Sequence, residues 1–268
     1  MIDYHLHTVR CGHAEGTLEQ YWREAVCKGL KEIGFADHFP LDVLNFEPPE
    51  KVTMEGWELP QYIGEVLQLS LKNGSPNVKL GIEVDFLPGL EKAIYEELSH
   101  YPFDYVIGSV HFLEDWDFTN PACAGAYEKC TAEEILTLYE KYYILIEKLA
   151  EAELCDIVGH LDVIKKFGYR PPGGTAHLIE RVTDLLREAD LCIELNTAGL
   201  YTSASEVYPS KEILESCFRR GIPVTLGSDA HRPEDVGRDL EMALDLLREI
   251  GYREIAVFKD RKRGSLKI

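Results

Sequence analysis

The 268-residue chain carries 47 Asp and Glu against 28 Lys and Arg, a formal net charge of −19. That balance argues against a nucleic-acid surface or an anionic-membrane surface, both of which need clustered basic residues. With 45% hydrophobic and 28% charged residues, the composition is that of a soluble globular protein with ample core, expected to form one domain over residues 1–268.

In chain order, the first expected element is a strand over 2–7, within MIDYHLHT. Period-2 alternation puts Asp3, His5 and His7 on one face, and Ile2, Tyr4 and Leu6 on the other. A helix is expected over 18–29, then a strand over 32–35. Residues 41–57, rich in Pro and Glu, read as a long loop placed as a lid or rim over a site. A helix over 55–71 leads to a strand over 78–83, a helix over 90–99 and a strand over 105–109. Thr131 and Glu134 form a capping-box pattern ahead of a helix over 132–152. A strand over 156–158, a helix over 176–189 and a strand over 191–195 follow. Pro209 announces a helix over 210–220, and the chain closes with a strand over 223–226, a helix over 233–250 and a strand over 254–258.

Strand followed by helix, seven or eight times, predicts parallel strands joined by right-handed crossovers. A (β/α) barrel is the simplest single domain of this length built that way, with a doubly wound open sheet as the alternative. There is no internal repeat, no signal-peptide pattern and no apolar run of membrane-spanning length. The seven cysteines form no C-x-x-C, which suits reduced thiols in a cytoplasmic protein.

The nine histidines are not scattered. His5 and His7 end the first strand, and His13 lies in the loop after it. His38 follows the second strand, His111 the fourth, His160 the fifth and His231 the seventh. Glu83 ends the third strand, and Asp229 stands two residues before His231. Only His100 and His177 fall on or beside helices, as surface residues. The C-terminal strand ends of such a barrel share one rim, where active sites form. Seven imidazoles converging there would compete for hydrogen-bond partners, whereas metal ions satisfy them together. Nine donors exceed one tetrahedral ion and suit two or three, with a carboxylate bridging a pair. Asp3 is expected to orient a ligand imidazole, and Asp37 to do the same with less support.

A different phosphatase chemistry is also spelled out: Asp115-Trp116-Asp117-Phe118-Thr119 matches D-x-D-x-T, in which the first Asp attacks phosphorus. It lies mid-chain in a charged stretch rather than at the end of a first hydrophobic strand, as a chance match would. A metal-binding regulatory protein without turnover is the reading from another class.

The histidine motifs resemble those of the PHP (polymerase and histidinol phosphatase) family of metal-dependent phosphoesterases. They are H-x-H-T at His5, CGH at His13, ADH at His38, GIE at Glu83, GSVH at His111, GH at His160 and GSDAH at His231. The stretches ELNTAGL, EVYPS and GIPVTLGSDAHRPEDVG look closest to its stand-alone histidinol-phosphate phosphatases. The resemblance implies a distorted (β/α)7 barrel and a trinuclear site of Zn, Mn or Fe. One ion would take His5, His7, Glu83 and Asp229. A second would share Glu83 and add His111 and His160, and the third would take His13, His38 and His231. It further implies hydrolysis of a small phosphate monoester, L-histidinol phosphate first, by a hydroxide bridging two ions, with Glu83, Asp229 and His231 in the catalytic machinery. Another small phosphate ester is the alternative substrate. In this family a basic residue, commonly Arg, follows NTAGL; here Tyr201, Thr202 and Ser203 do. An Arg-Tyr pair often follows GHLD, where this chain has Lys166-Phe167. The positive charge for phosphate is therefore expected from Lys166, with Arg10 and Arg232 beside the ligands as further candidates and Tyr201 as a substrate contact.

Overall fold

A computed structural model describes residues 1–48 and 50–268. Seven parallel strands follow one another around a sheet in sequence order: β1 Ile2–Leu6, β2 Glu32–Phe35, β3 Asn77–Asp85, β4 Tyr105–Ser109, β5 Ile157–Val158, β6 Cys192–Asn196 and β7 Val224–Gly227. The sheet curls until β1 meets the segment after β7. There His7 N donates to Ala230 O at 3.0 Å and Ala230 N to His5 O at 3.1 Å. The result is a nearly closed barrel, with helices α1 Leu18–Cys27, α2 Leu59–Ser70, α3 Glu91–Leu98, α4 Ala132–Glu151, α5 Ala176–Glu188, α6 Lys211–Arg219 and α7 Leu240–Ile250 outside it.

The strands are buried on both faces, IDYHL along its whole length, as expected of parallel strands covered by helices. Ile2, Tyr4 and Leu6 join Ile33, Phe35 and Ile82 in one continuous core; a register shift against β2 between Asp3 and Leu6 breaks the strict alternation of β1 and turns Tyr4 to Tyr105 and Glu32. The capping box of α4 is present: Glu134 N donates to Thr131 Oγ1 and Thr131 N to the Glu134 carboxylate.

Three expectations change. The helix expected over 233–250 begins only at Leu240, because Gly237 and Asp239 adopt φ of +68° and +57°, and Gly237 N turns inward to Asp3 Oδ2 at 2.7 Å. The strand expected over 254–258 exists as β8 Glu254–Lys259 but lies outside the barrel, paired antiparallel with β9 Lys262–Lys267. Its Phe258 packs against Tyr4 and Tyr105, which stack at 4.8 Å, so this hairpin covers one end of the barrel. The long loop carries two short 3-10 turns, Asp42–Leu44 and Gly56–Glu58. Its Glu50, Lys51 and Val52 line the cavity at the other end, as a rim would, while Pro49 lies outside the described residues. Among the described residues no helix is long and apolar enough to cross a membrane.

Candidate metal centre

The end of the barrel opposite the hairpin opens into a cleft of about 500 Å³, lined by His13, His38, Glu83, His111, His160, Asp229 and His231, with His5 and His7 buried against Glu83. Alternation along β1 sends His5 and His7 inward, both fully buried. The turn after β1 brings His13 back over them. β2 runs into His38, β4 into His111 and β5 into His160, while the loop after β7 supplies Asp229 and His231. Glu83, near the end of β3 and 1% exposed, stands in the middle. Its Oε1 is 3.0 Å from His160 Nε2 and 3.7 Å from His111 Nε2. Its Oε2 is 3.1 Å from His38 Nδ1, 3.3 Å from His5 Nε2 and 3.6 Å from His7 Nε2. Asp229 Oδ1 lies 3.1 Å from His7 Nε2. His13 and His231 face each other through Nε2 at 3.0 Å, and His111 and His160 likewise at 3.2 Å.

His5 Nε2, His7 Nε2 and Glu83 Oε2 are buried and have no hydrogen-bond partner. Each such atom costs roughly 1–3 kcal/mol if left so, and a cation among them removes that cost. Donor atoms within 4.8 Å of one another form several sets able to hold an ion, among them His5, His7 and Asp229; His5, Glu83 and His160; and His7, His38 and His231. His38 thus stands with His7 and close to Glu83, besides its kinship with His13 and His231. The donor set of imidazole and carboxylate suits Zn, Mn or Fe.

The charges are mutually adapted. Burial opposes every ion here, yet Glu194, Glu83 and Asp229 raise His5 well above the usual imidazole range. His7 rises to about 9 through Asp229 and Asp37, against its burial. His111 rises to about 9 through Asp85 and Glu83, again against burial. Burial lowers His13 and His38, and His231 falls to about 3 as His7 adds repulsion. Glu83 is buried and Asp229 partly so, but the surrounding imidazoles hold both well below the carboxylate range.

The residues that orient the ligands differ from expectation. Asp3 touches no imidazole side chain: its carboxylate accepts from Ser228 N at 2.9 Å, Ser228 Oγ at 2.5 Å and Gly237 N at 2.7 Å. It fixes the loop that carries Asp229 and His231. Asp37 does face a ligand, with Oδ1 3.5 Å from His7 Nδ1, and its other oxygen accepts from Thr8 N and Oγ1. Two carboxylates passed over in the sequence do the same work at closer range. Glu194 Oε1 is 2.6 Å from His5 Nδ1, and Asp85 Oδ1 is 2.8 Å from His111 Nδ1. Asp85 had a legible signal, since it lies two residues beyond Glu83 on the same strand face. Backbone carbonyls of Cys11 and Asp229 serve His13 and His231, at 3.1 and 3.0 Å. Such partners fix which ring nitrogen keeps its lone pair for an ion.

The expected substrate contacts separate. Lys166 lines the cleft and forms no ion pair or side-chain hydrogen bond among the described residues. Burial pushes its ammonium below the ordinary lysine range, against the pull of Asp229 and Asp117. Arg232 sits at the rim, 3.5 Å from Glu15. Arg10 turns away from the cleft and pairs with Glu65 at 2.8 Å, because the 3-10 turn Val9–Cys11 points it toward α2. Tyr201 is 56% exposed outside the cleft lining, bonded to Asp239 and stacked under Arg238 at 3.5 Å. His100 and His177 are exposed, as expected, and do not line the cleft. Asp115 is exposed in the turn of a short hairpin, Phe112–Leu113 with Trp116–Asp117, and Asp117 Oδ1 caps its own turn through Thr119 and Asn120. The D-x-D-x-T reading therefore has no nucleophile facing the cleft.

Comparison with known proteins agrees with this geometry. A Deinococcus radiodurans protein named "Probable histidinol-phosphatase" is 38% identical over 98% of both chains. The histidinol-phosphatase of Bacillus subtilis is 31% identical, covering 91% of this chain and 98% of its own. In fold, the crystal structure of the histidinol phosphate phosphatase of Lactococcus lactis, in complex with zinc, L-histidinol and phosphate, superposes with a TM-score of 0.84 over 98% of both chains at 24% identity. The family model of the PHP domain matches residues 3–198, and the chain belongs to the PHP domain family.

Proposed function

We propose that this chain is a metal-dependent phosphatase that hydrolyses L-histidinol phosphate to L-histidinol and phosphate in the cytoplasm. The observation that carries the metal half is the convergence of seven imidazoles around Glu83 and Asp229, five of them lining the cleft, with buried donor atoms left unpartnered. The relatives' names support the substrate half. Residues from both ends of the sequence build the site, so the whole chain, 1–268, acts as one unit in this reading.

His5, His7, Glu83 and Asp229 would hold one ion, Glu83, His111 and His160 a second, and His13, His38 and His231 a third. Bound divalent ions supply Lewis acidity and a water of lowered pKa at this spot. The chain's own contribution is orientation and charge. Glu83 and Asp229 stay ionised at neutral pH, and Asp37, Asp85 and Glu194 hold imidazoles in the ligating tautomer. Lys166 presents a free ammonium to an incoming phosphate, with Arg232 at the rim. The acidic rim residues Glu50 and Asp117 suit an alcohol that carries an ammonium and an imidazole.

The test is a panel of phosphate monoesters, histidinol phosphate included, assayed on protein stripped by a strong chelator and reloaded with Zn, Mn or Fe. The expected result is loss of activity on stripping, recovery on reloading, and the highest kcat/KM for histidinol phosphate. Hydrolysis no better than that of an aryl phosphate would remove the substrate assignment and leave a general phosphoesterase.

A further inference from the structure

We propose that Glu194 is a positioning residue that fixes ligands of two different ion positions at once. The inference rests on the metal reading above. Glu194 sits in the middle of β6 and is 1% exposed. Among the described residues its carboxylate forms no ion pair with Lys or Arg; its charge partner is His5, at 2.6 Å. A buried carboxylate in that position is costly unless it is fully engaged, and this one is. Oε1 takes the Nδ1–H of His5, which leaves the Nε2 lone pair aimed at the ions. Oε2 accepts from the backbone N of His160 at 2.9 Å and from Asn196 Nδ2 at 3.0 Å.

Asn196 extends the clamp. The same amide nitrogen also lies 3.2 Å from Asp229 Oδ2, and Ala198 N donates to Asn196 Oδ1 at 2.9 Å, which fixes the amide orientation. One carboxylate and one amide on β6 therefore reach ligands delivered by β1, by the end of β5 and by the loop after β7. Two of these ligands sit on strained backbone: His160 has φ of +22° and Asp229 +54°. Non-glycine residues hold such angles only where their surroundings impose them, and the clamp does so at His160 N and at the Asp229 carboxylate. Gly227 makes the room. A Cβ there would lie 1.9 Å from Glu194 Oε1 and 2.7 Å from His5 Cβ.

The experiment is Glu194→Gln in the full chain, stripped and titrated with zinc against a competing chelator. The substitution keeps the shape but turns one acceptor into a donor. Facing His5, the new N–H opposes the Nδ1–H and drives the proton to Nε2, where it blocks ligation. Zinc bound through His5 and His160 should weaken roughly ten- to a hundredfold. Zinc at the His13 and His231 end should hold, so that the titration splits into two phases. With any phosphate ester that the wild type hydrolyses, kcat should fall and KM stay within about threefold.

A merely structural carboxylate would instead lower the melting temperature and leave zinc affinity unchanged, and that result overturns the proposal. Uniform weakening of all the zinc overturns it too. If Glu194→Gln does not fold, Asn196→Ala takes its place: zinc held through Asp229 should weaken severalfold, and unchanged affinity there counts against the clamp. The titration uses no substrate. A wild type that binds no zinc would remove the metal reading itself, whereas a zinc-binding wild type matched by both variants removes only this inference.

Discussion

Glu83→Gln is the sharpest perturbation of the cluster. Gln fills the same space and can keep the hydrogen bond from Ser109 Oγ, which is 2.6 Å from Glu83 Oε1. It removes one of the two negative charges set directly among seven imidazoles. It also places an amide N–H where Oε2 now stands, 3.1 Å from His38 Nδ1 and 3.3 Å from His5 Nε2. Taking one partner from a buried, hydrogen-bonded charge set costs about 3–5 kcal/mol, roughly two to four powers of ten in an equilibrium constant. Because Glu83 reaches both sides of the cluster, the loss should fall on more than one ion. The assay is zinc competition on stripped protein together with kcat/KM on reloaded protein. His100→Ala and His177→Ala serve as controls; both side chains are exposed, and their effects should stay within about 0.5 kcal/mol. If Glu83→Gln weakens zinc and activity by less than tenfold, or no more than the controls, Glu83 is not the hub described here.

Lys166→Met should lower kcat/KM by about 1.5–3 kcal/mol, the worth of a charged hydrogen bond to phosphate, or roughly 10- to 150-fold; Arg10→Ala, whose partner Glu65 lies away from the cleft, should leave it within threefold, and the reverse ranking would reassign the phosphate contact. Asp115→Asn should retain most activity, since that carboxylate faces solvent in a hairpin turn; a trapped aspartyl-phosphate would contradict the metal route. Zinc loading should release protons at neutral pH. His7 and His111 titrate at about 9 in the ion-free protein and must be neutral to ligate, so apparent affinity should rise with pH until those groups have titrated and then flatten. Binding heats that do not vary with buffer ionisation enthalpy at pH 7 would show that no protons leave.

The barrel was legible because its strands are short apolar runs between amphipathic helices, and the clustering of the nine side chains because each ends a strand or stands in the loop that follows one. What stayed hidden depends on contacts across the barrel. Glu194 lies 189 residues from His5, and nothing in ELNTAGL marks its first residue as that imidazole's partner. Asp3 sits two residues before His5, but the register of β1 shifts between Asp3 and Leu6, so strict alternation does not carry from Asp3 to the histidines, and the Ser228 and Gly237 amides take its carboxylate. Arg10 was expected from its place beside the ligands and Tyr201 from its place after NTAGL, and local turns aim both outward. The helix expected over 233–250 looked continuous because one inward amide at Gly237 leaves no trace in apolar periodicity.

If the nine side chains hold divalent ions with Glu83 between them, anomalous scattering from crystals of the zinc-loaded chain will locate those ions. Peaks within about 2.0–2.3 Å of His5, His7 and Asp229 on one side and of His111 and His160 on the other, with a Glu83 carboxylate oxygen reaching each, are the expected result. A cleft without an anomalous peak, or zinc seated elsewhere on the molecule, would contradict the account.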